Sequence, residues 1–364
     1  MKPLKIAMMS LTHGHTRKYY QTLRDNPKLD WVASCAEDQR AKDVYDLYQT
    51  GVPCYLDPEQ MFAEHPDIEA VVLASANSKH MEQVRFCAER GIHILSMKIP
   101  TFNMEEYDEM IELCDKAGIV CQVELEMHYN PVVLRLKKLL QEGAIGKILA
   151  IQATNITLSP VWAFPWQGVP EDSFGCRVPL KDGDPRFRGG ALCDHPHIFD
   201  LIRWLTNSDF DYIYSQVAPN LRKDLQVEDM LLANGKMKDG TAFLFDPSWS
   251  RLEERIPVPA PGWEVFPKRM EVNLVITGEK GVLACDCFGP NVYHNGAPMT
   301  AIPSSTPTLM NGSDSLMNLW TAAATANSPR SISAGTSRRS RQCWAAMKAS
   351  RAISRSASMR NRKG

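Results

Sequence analysis

The sequence predicts an α/β chain with two different sheets: a parallel sheet with helices on both faces, then an α+β part with a mostly antiparallel sheet. Up to Glu124, apolar runs of four to eight residues alternate with helical patterns, which is typical of a parallel sheet. After Leu205, strand-like segments instead follow one another, with short turns at 238–240 and 278–281 that are typical of antiparallel hairpins.

The first third of the chain supplies five predicted strands and four predicted helices. The strands are 5–10, 29–35, 68–75, 93–97 and 119–124, and the helices are 15–24, 39–49, 78–90 and 104–117. Gly91 and Gly118 end the last two helices, where a glycine readily takes the left-handed conformation. Because ligands of such sheets bind at the carboxyl ends of the strands, the residues that follow each strand are candidates for a site.

The second part begins with an amphipathic helix predicted over 131–142 and a strand over 147–158. A segment rich in Pro, Gly and Trp (159–188) has the composition and length of a functional loop. A helix is predicted over 195–205, followed by strands at 211–218, 230–236, 241–246, 270–276 and 281–286. The turns at 238–240 and 278–281 indicate hairpins.

Charge is unevenly distributed along the 364 residues, although the net charge is only −1. Asp314 is the last acidic residue, and ten Lys or Arg follow it. The change of charge separates an aberrant basic tail over 304–364 from the rest of the chain, and the change of pattern divides that rest into a first domain over 1–123 and a second over 124–303. That tail fits a disordered anion-binding segment, a poor terminal helix or an out-of-frame end, and it is assigned no function.

Composition also excludes several classes of protein. A net charge near zero argues against binding nucleic acid through bulk positive charge. Neither a transmembrane run nor a signal-peptide core is found, so a cytoplasmic protein without membrane partners is expected. The ten cysteines are scattered and form no CxxC pair, which favours reduced thiols over disulfides or metal ligands.

The loop after the first strand lies where a dinucleotide fold places its phosphate-binding turn. The glycine positions of G-x-G-x-x-G hold Ser10, Thr12 and His15, and only Gly14 stands at a spacer position beside His13. Backbone N–H groups at a helix N-terminus can still bind a pyrophosphate, so all five residues are candidate cofactor contacts.

Two further strand ends offer cofactor contacts. Glu37 and Asp38 follow the second strand, and Glu37 is the candidate acceptor for a ribose diol unless it is a solvated acid that opens the next helix. Ser75, Asn77 and His80 follow the third strand, where small residues let a flat ring lie close to the backbone. Asn77 could instead cap the helix that follows.

Two sets of residues have the chemistry for catalysis. Lys98 ends a buried strand and could bind a substrate hydroxyl. Asp194 and His197 are three apart, so on one helix they would share a face as a carboxylate-tuned general base. Two other interpretations stay open: a metal site, or a helix capped by Asp194 with His197 as a buried structural histidine. The metal site would use the ligand-type residues Cys193, Asp194, His195, His197 and Asp200.

Taken together, these positions resemble the glucose–fructose oxidoreductase, inositol dehydrogenase and rhizopine-catabolism (Gfo/Idh/MocA) family over about residues 4–290. Lys98 matches the lysine of its Glu-Lys-Pro motif, although Pro100 comes one place late. Other segments resemble the family's domain-crossing segment (128–148), catalytic helix (189–204), hairpin (229–248) and late turn (278–283). The departures are the missing glycine fingerprint and an Asp-to-His spacing of three, where four is usual.

The resemblance implies that 1–123 is a Rossmann-like, dinucleotide-binding domain and that 124–303 is an α+β domain for substrate binding and oligomerisation, whose open sheet often forms a dimer or tetramer. It implies NAD or NADP as cofactor and a sugar, polyol or glycoside as substrate. It gives His197 the role of general base, Lys98 a place near the nicotinamide and the reacting hydroxyl, and Asp194 the task of holding substrate and orienting the histidine.

The expected function is therefore an NAD(P)-dependent dehydrogenase of a carbohydrate secondary alcohol, with no metal. NAD is slightly favoured, because the Glu37 carboxylate would repel a 2′-phosphate, although Arg40 lies nearby. Substrate contacts are expected from Lys98, Asp194, His197, His128, Tyr129, Trp162 and Trp166, since aromatic faces suit a pyranose. The alternatives are a redox-assisted NAD-dependent glycosidase or lyase and a non-enzymatic dinucleotide-binding protein.

Overall fold

A computed structural model describes residues 2–13, 15–101, 104–157, 190–223, 225, 228–251, 270–300 and 321. Gly14, Trp162 and Trp166, the predicted loop 159–188 and nearly all of the predicted tail lie outside these residues. The chain divides between Glu126 and Met127 into two compact units, each of which is described separately below. None of the described helices is long and apolar enough to cross a membrane.

The first unit is built on a six-stranded parallel sheet of order β3-β2-β1-β4-β5-β6. Its strands are β1 (Leu4–Met9), β2 (Leu29–Cys35), β3 (Cys54–Tyr55), β4 (Ala70–Leu73), β5 (His93–Ser96) and β6 (Cys121–Val123). Its helices are α1 (Thr16–Asp25), α2 (Gln39–Asp46), α3 (Pro58–Glu64), α4 (His80–Glu89) and α5 (Met104–Ala117), with a 3-10 turn at Asn77–Lys79.

Helices cover both faces of this sheet. As a result, neighbouring residues of each strand point into different cores. Ile6 and Met8 of β1 join Tyr19 and Leu23 of α1 in one core. Ala7 and Met9 face the other way, into a core that receives side chains from α3, α4 and α5. The parallel sheet and its five predicted strands are confirmed. The short strand β3 and helix α3 were not predicted.

The second unit is built on an eight-stranded sheet of order β14-β13-β12-β11-β7-β10-β9-β8. Its strands are β7 (Ile148–Ile156), β8 (Phe210–Val217), β9 (Leu231–Met237), β10 (Ala242–Asp246), β11 (Glu271–Gly278), β12 (Gly281–Asp286), β13 (Asn291–His294) and β14 (Ala297–Thr300). Every neighbouring pair is antiparallel except β10 and β7, which confirms the predicted mostly antiparallel sheet. The edge hairpin β13–β14 was not predicted.

Within the described residues, three helices accompany this sheet: α6 (Pro131–Gln141), α7 (Ala191–Asp194) and α8 (Pro196–Thr206), with a 3-10 turn at Glu126–Tyr129 immediately before α6. Val133 and Leu136 of α6 and Ile198 and Leu201 of α8 pack with the buried side of the strands in a single core. The predicted helix 195–205 is therefore nearly correct in extent, but a separate short turn precedes it.

Candidate functional site

The carboxyl edge of the parallel sheet begins at Ser10, directly after β1. Ser10 has a φ of 74°, in the left-handed region that glycine occupies most easily. The backbone at this fingerprint position therefore has a glycine-like conformation, although the residue is a serine. Its buried Oγ has no hydrogen-bond partner among the residues that the structure describes. A buried hydroxyl left in this way is ready to bond a ligand.

The amides that follow Ser10 are occupied from within the unit. The Thr12 amide donates to Glu37 Oε1 at 3.2 Å, the His13 amide to the Ala74 carbonyl at 2.8 Å, and the His15 amide to His13 Nδ1 at 3.1 Å. The prediction that these amides bind a pyrophosphate therefore meets a competing set of acceptors. A phosphate could use them only by displacing those acceptors.

Glu37 is fixed against this loop. Its carboxylate accepts from the Leu11 amide, with its two oxygens at 3.1 and 3.0 Å, and from the Thr12 hydroxyl at 2.7 Å. Burial raises the pKa of Glu37, while the hydrogen bonds from Leu11 and Thr12 act in the opposite direction. It is the neighbouring Asp38 that opens the next helix, since its side chain accepts from the Ala41 amide at 2.7 Å.

The end of β4 carries two buried groups with unused polar atoms. Asn77 Nδ2 and His80 Nε2 are buried and have no hydrogen-bond partner within the described part of the chain. The cap interpretation of Asn77 is wrong, because no side chain caps the turn that it begins. His80 Nδ1 lies 3.1 Å from the Pro100 carbonyl, and burial lowers the pKa of His80 to about 4. Ser75, by contrast, donates to Gln83 Oε1 at 2.6 Å.

Lys98 follows β5 and is buried, with a cis peptide bond to Ile99. Its positive charge acts on His13: burial is the main cause that lowers the pKa of His13 well below its usual value, and the charges of His15 and Lys98 act in the same direction. Burial and these neighbouring charges therefore favour the neutral form of the His13 imidazole. Lys98 thus belongs to the same group of side chains as the loop after β1.

Sequence reasoning missed a second cluster at this edge, around Glu124, the residue directly after β6. Glu124 is completely buried and its Oε2 lies 2.8 Å from His15 Nδ1. The buried Tyr19 hydroxyl donates to its other oxygen. Glu126 is also buried, and its Oε2 lies 3.9 Å from the same His15 nitrogen. The only sequence signal for this cluster was the position of Glu124 at a strand end.

In the second unit, Asp194 and His197 belong to different helices. Asp194 ends α7, and His195 separates it from α8, so the shared helix face and the Asp194 cap are both wrong. Asp194 Oδ2 accepts from Trp249 Nε1 at 2.9 Å and lies 3.5 Å from His195 Nε2. His195 Nδ1 lies 2.8 Å from the Pro247 carbonyl, and His197 is buried in the first turn of α8.

His128, a predicted substrate contact, is held by its own unit. Its Nε2 pairs with the buried carboxylate of Asp200, and its ring stacks on Trp204 with centroids 4.4 Å apart. The Lys137 ammonium lies over the Trp204 ring, 4.9 Å from its centroid. Tyr129, at the end of the adjacent 3-10 turn, is half-buried. The pairing fixes the orientation of the His128 imidazole.

The first unit fits a dinucleotide along its strand ends. Ser10 Oγ, Asn77 Nδ2 and His80 Nε2 offer buried polar atoms that have no partner among the described residues. Glu37 Oε2 accepts from the Leu11 amide, and a carboxylate oxygen can accept a further hydrogen bond, such as one from a ribose hydroxyl. The side chains therefore suit the cofactor, although the loop amides do not offer themselves to its phosphates.

Comparison with known proteins agrees with this architecture. Residues 10–125 match the family model described as the GFO_IDH_MocA oxidoreductase family, NAD-binding Rossmann fold, and residues 133–284 match the GFO/IDH/MocA C-terminal domain. The chain thus belongs to the Gfo/Idh/MocA family, and its first unit is an NAD-binding Rossmann domain.

Individual relatives are distant. The 2,7-anhydro-N-acetylneuraminate hydratase of Mediterraneibacter gnavus is 26% identical over 61% of this chain and 53% of its own length. The myo-inositol 2-dehydrogenase of Thermotoga maritima is 24% identical over 62% of this chain and 64% of its own length. The matches thus span less than two thirds of either protein. The crystal structure of myo-inositol 2-dehydrogenase from Lactobacillus plantarum shares the fold, with a TM-score of 0.71 and 18% identity over 98% of this chain and 97% of that one.

Proposed function

We propose that the protein is an NAD(P)-dependent oxidoreductase that transfers hydride between a carbohydrate secondary alcohol and nicotinamide. The observation that carries the proposal is the row of buried polar atoms at the carboxyl edge of the parallel sheet: Ser10 Oγ, Asn77 Nδ2 and His80 Nε2, with Lys98 buried at the next strand end. Burying polar groups without partners costs roughly 1–3 kcal/mol each, which a bound ligand would offset.

Cofactor choice is proposed to depend on Glu37. Its carboxylate would accept from the hydroxyls of the adenosine ribose and would repel a 2′-phosphate, so NAD is favoured over NADP. The contacts with Leu11 and Thr12 fix the carboxylate in place, which limits its freedom to move away from a phosphate.

Three residues are proposed to act on the substrate. His197 takes the proton of the reacting hydroxyl as general base, a role worth about 10²–10⁴-fold in rate. Lys98 binds the same oxygen and stabilises charge on it, and Asp194 holds the substrate. A bound nicotinamide would supply the hydride acceptor for the carbon that bears this oxygen.

A sugar or polyol is the proposed substrate class, because dehydrogenases of inositol occur among the relatives. His128 and Tyr129 remain proposed substrate contacts, as do Trp162 and Trp166, which lie outside the described residues. Asp200 already pairs with Nε2 of His128, so this imidazole would bind a substrate through its other nitrogen, Nδ1.

The test is turnover of purified protein on a panel of sugars and polyols, followed by absorbance of the reduced cofactor. His197→Ala should lower kcat by at least about 10²-fold while leaving cofactor affinity within a few-fold, and Lys98→Ala should also lower kcat by at least about 10²-fold. His65→Ala, an equivalent change at the C-terminal end of α3, is the matched control and should keep full turnover. Full turnover of His197→Ala would refute its role.

A second candidate is a redox-assisted lyase or glycosidase. One relative is named as a hydratase, and the addition of water to a double bond involves no net oxidation. In this case the protein would convert its substrate without accumulating reduced cofactor. Product formation by chromatography with unchanged absorbance of the cofactor would favour this candidate over the dehydrogenase.

A homo-oligomer is also proposed, through the exposed face of the eight-stranded sheet. Leu232 of β9 and Leu244 of β10 stand on this face with 49% and 48% of their surface exposed, and Leu149 of β7 and Val275 of β11 are also exposed. An apolar sheet face open to solvent is typical of a surface that another chain covers.

A further inference from the structure

His15, Glu124 and Glu126 bring three ligand-type atoms together at the carboxyl edge of the parallel sheet. One imidazole nitrogen and one oxygen from each carboxylate all lie within 4.8 Å of one another. The His15 nitrogen is 2.8 Å from Glu124 Oε2 and 3.9 Å from Glu126 Oε2. Atoms that bind one ion at about 2.1 Å lie about 3–4 Å apart, so these spacings are close to those of a coordination sphere.

The cluster is assembled by the fold. His15 precedes α1 at the end of β1, and Glu124 follows β6, with two strands of the sheet between them. Tyr19, which is fully buried in α1, donates to the second oxygen of Glu124. This hydrogen bond leaves Oε2 directed at His15, as a partner that orients a metal-binding carboxylate would do.

The charges also favour a cation. Glu124 and Glu126 are both buried, and a dication would interact favourably with two neighbouring carboxylates. One nitrogen with two oxygens is a ligand set for a first-row divalent ion such as Mn²⁺, Fe²⁺ or Zn²⁺, and it has too few oxygens for Ca²⁺.

We propose that His15, Glu124 and Glu126 form a binding site for a divalent transition-metal ion, with Tyr19 positioning Glu124. Three protein ligands leave coordination positions for water or for an oxygen of a bound molecule. The site adjoins the groups already described, because the His15 ring lies 4.8 Å from the ring of His13. The proposal stands on the geometry of the first unit alone and is independent of the proposed reaction.

Mn²⁺ is the probe of choice, because ten cysteines could bind Zn²⁺ at unrelated places. Chelator-treated full-length protein is titrated with Mn²⁺, and the loss of the free-ion electron paramagnetic resonance signal is recorded. We expect one ion per chain. Since even partners that only orient a ligand are worth about 10–100-fold in affinity, Glu126→Gln should weaken binding at least about tenfold. The exposed Glu89→Gln is the matched control and should not change it.

A second readout needs no change in a carboxylate. Electron spin echo modulation of the bound Mn²⁺ should show coupling to an imidazole nitrogen, and His15→Asn should remove it. Tyr19→Phe should weaken binding while keeping this coupling. The proposal is overturned if the protein binds no Mn²⁺ up to about 1 mM, or if the ion binds equally well to Glu126→Gln with no nitrogen coupling. Each of these results is separate from cofactor binding and turnover, which the proposed function predicts whether or not the ion is present.

Discussion

Glu37 holds Thr12 by two hydrogen bonds, from the Thr12 amide at 3.2 Å and from its hydroxyl at 2.7 Å, both to Oε1. These bonds join the loop after β1 to the end of β2, the two strand ends where a dinucleotide fold binds adenosine and phosphate. In the G-x-G-x-x-G fingerprint, glycines let the backbone come close to the pyrophosphate of the cofactor. Here the Glu37 carboxylate contacts that stretch of backbone instead. The loop is therefore organised before any cofactor arrives.

The first prediction concerns this carboxylate. Glu37→Gln replaces one carboxylate oxygen by an N–H₂ group, which cannot accept from a donor. One hydrogen bond to a charged group, worth about 1.5–3 kcal/mol, is therefore lost. NAD affinity should fall about tenfold, and the preference for NAD over NADP should narrow, because the repulsion of a 2′-phosphate disappears. Calorimetric titration with both cofactors measures this. Glu89→Gln serves as the control, and an unchanged preference would place the ribose elsewhere.

The second prediction concerns the dependence of stability on acid. Because burial lowers the pKa of His80 to about 4 from a usual 6.5, the folded unit keeps this imidazole neutral while the unfolded chain protonates it. The free energy of unfolding should therefore fall as pH drops from about 6.5 towards 4, by up to about 3 kcal/mol from this group.

His80→Gln keeps a polar side chain without the titration, and it should flatten the profile of urea unfolding over this range. His65→Gln, a histidine near the surface, is the control. A profile for His80→Gln that is as steep as the original would show that other groups cause the loss.

Glu228 should have the opposite effect on stability. Burial raises its pKa to about 7 from 4.5, although the Gly190 amide donates to it at 2.8 Å and the Leu192 amide at 3.2 Å. The folded unit keeps a proton here that the unfolded chain releases, so stability should fall as pH rises from about 4.5 to 7.

Glu228→Gln retains an acceptor for both amides and has no proton to lose. It should therefore be more stable than the original chain at pH 8 and equal to it at pH 4.5. Thermal unfolding at the two pH values measures the difference. Lower stability of the variant at pH 8 would mean that the ionised carboxylate stabilises the start of α7.

Much of the fold follows from the sequence, and the omissions have specific causes. Buried strands were visible as apolar runs, but β3 has two residues, too few for any periodicity. Helix α3 carried a usable signal in Asp57 and Pro58, an N-cap followed by a proline at the first helical position. The hairpin β13–β14 likewise carried an Asn295–Gly296 turn, and both residues have positive φ.

Part of the candidate site's position follows from the sequence. Strand ends made Glu37 and Lys98 candidates, because the carboxyl edge of a parallel sheet follows from topology alone; the structure places both residues after strands of that sheet, and their roles stay predictions. Helical spacing gave the wrong relation between Asp194 and His197, since His195 interrupts the helix. The pairing of Glu124 with His15 joins residues 109 apart in sequence, and no local pattern encodes it.

A fourth prediction concerns assembly. Leu244→Glu places a charge on the exposed face of the second sheet, opposite Asn234 and Gln152 on the neighbouring strands. If this face forms the interface between copies, the variant should elute as a smaller species in size-exclusion chromatography with light scattering. Leu47→Glu, at an 80% exposed position of the first unit, should leave the mass unchanged. Equal masses for both variants would exclude this face.

Binding of NAD to the purified protein, read from heat unfolding with increasing NAD and with increasing NADP, tests the central claim most directly. A ligand at a hundredfold excess over its Kd stabilises the folded state by about 2.7 kcal/mol. The buried polar atoms at the strand ends and the carboxylate of Glu37 predict a clear rise in Tm with NAD and a smaller one with NADP. No rise with either cofactor would mean that the loop amides, already taken by Glu37, Ala74 and His13, leave no room for a dinucleotide, and the oxidoreductase proposal would fail.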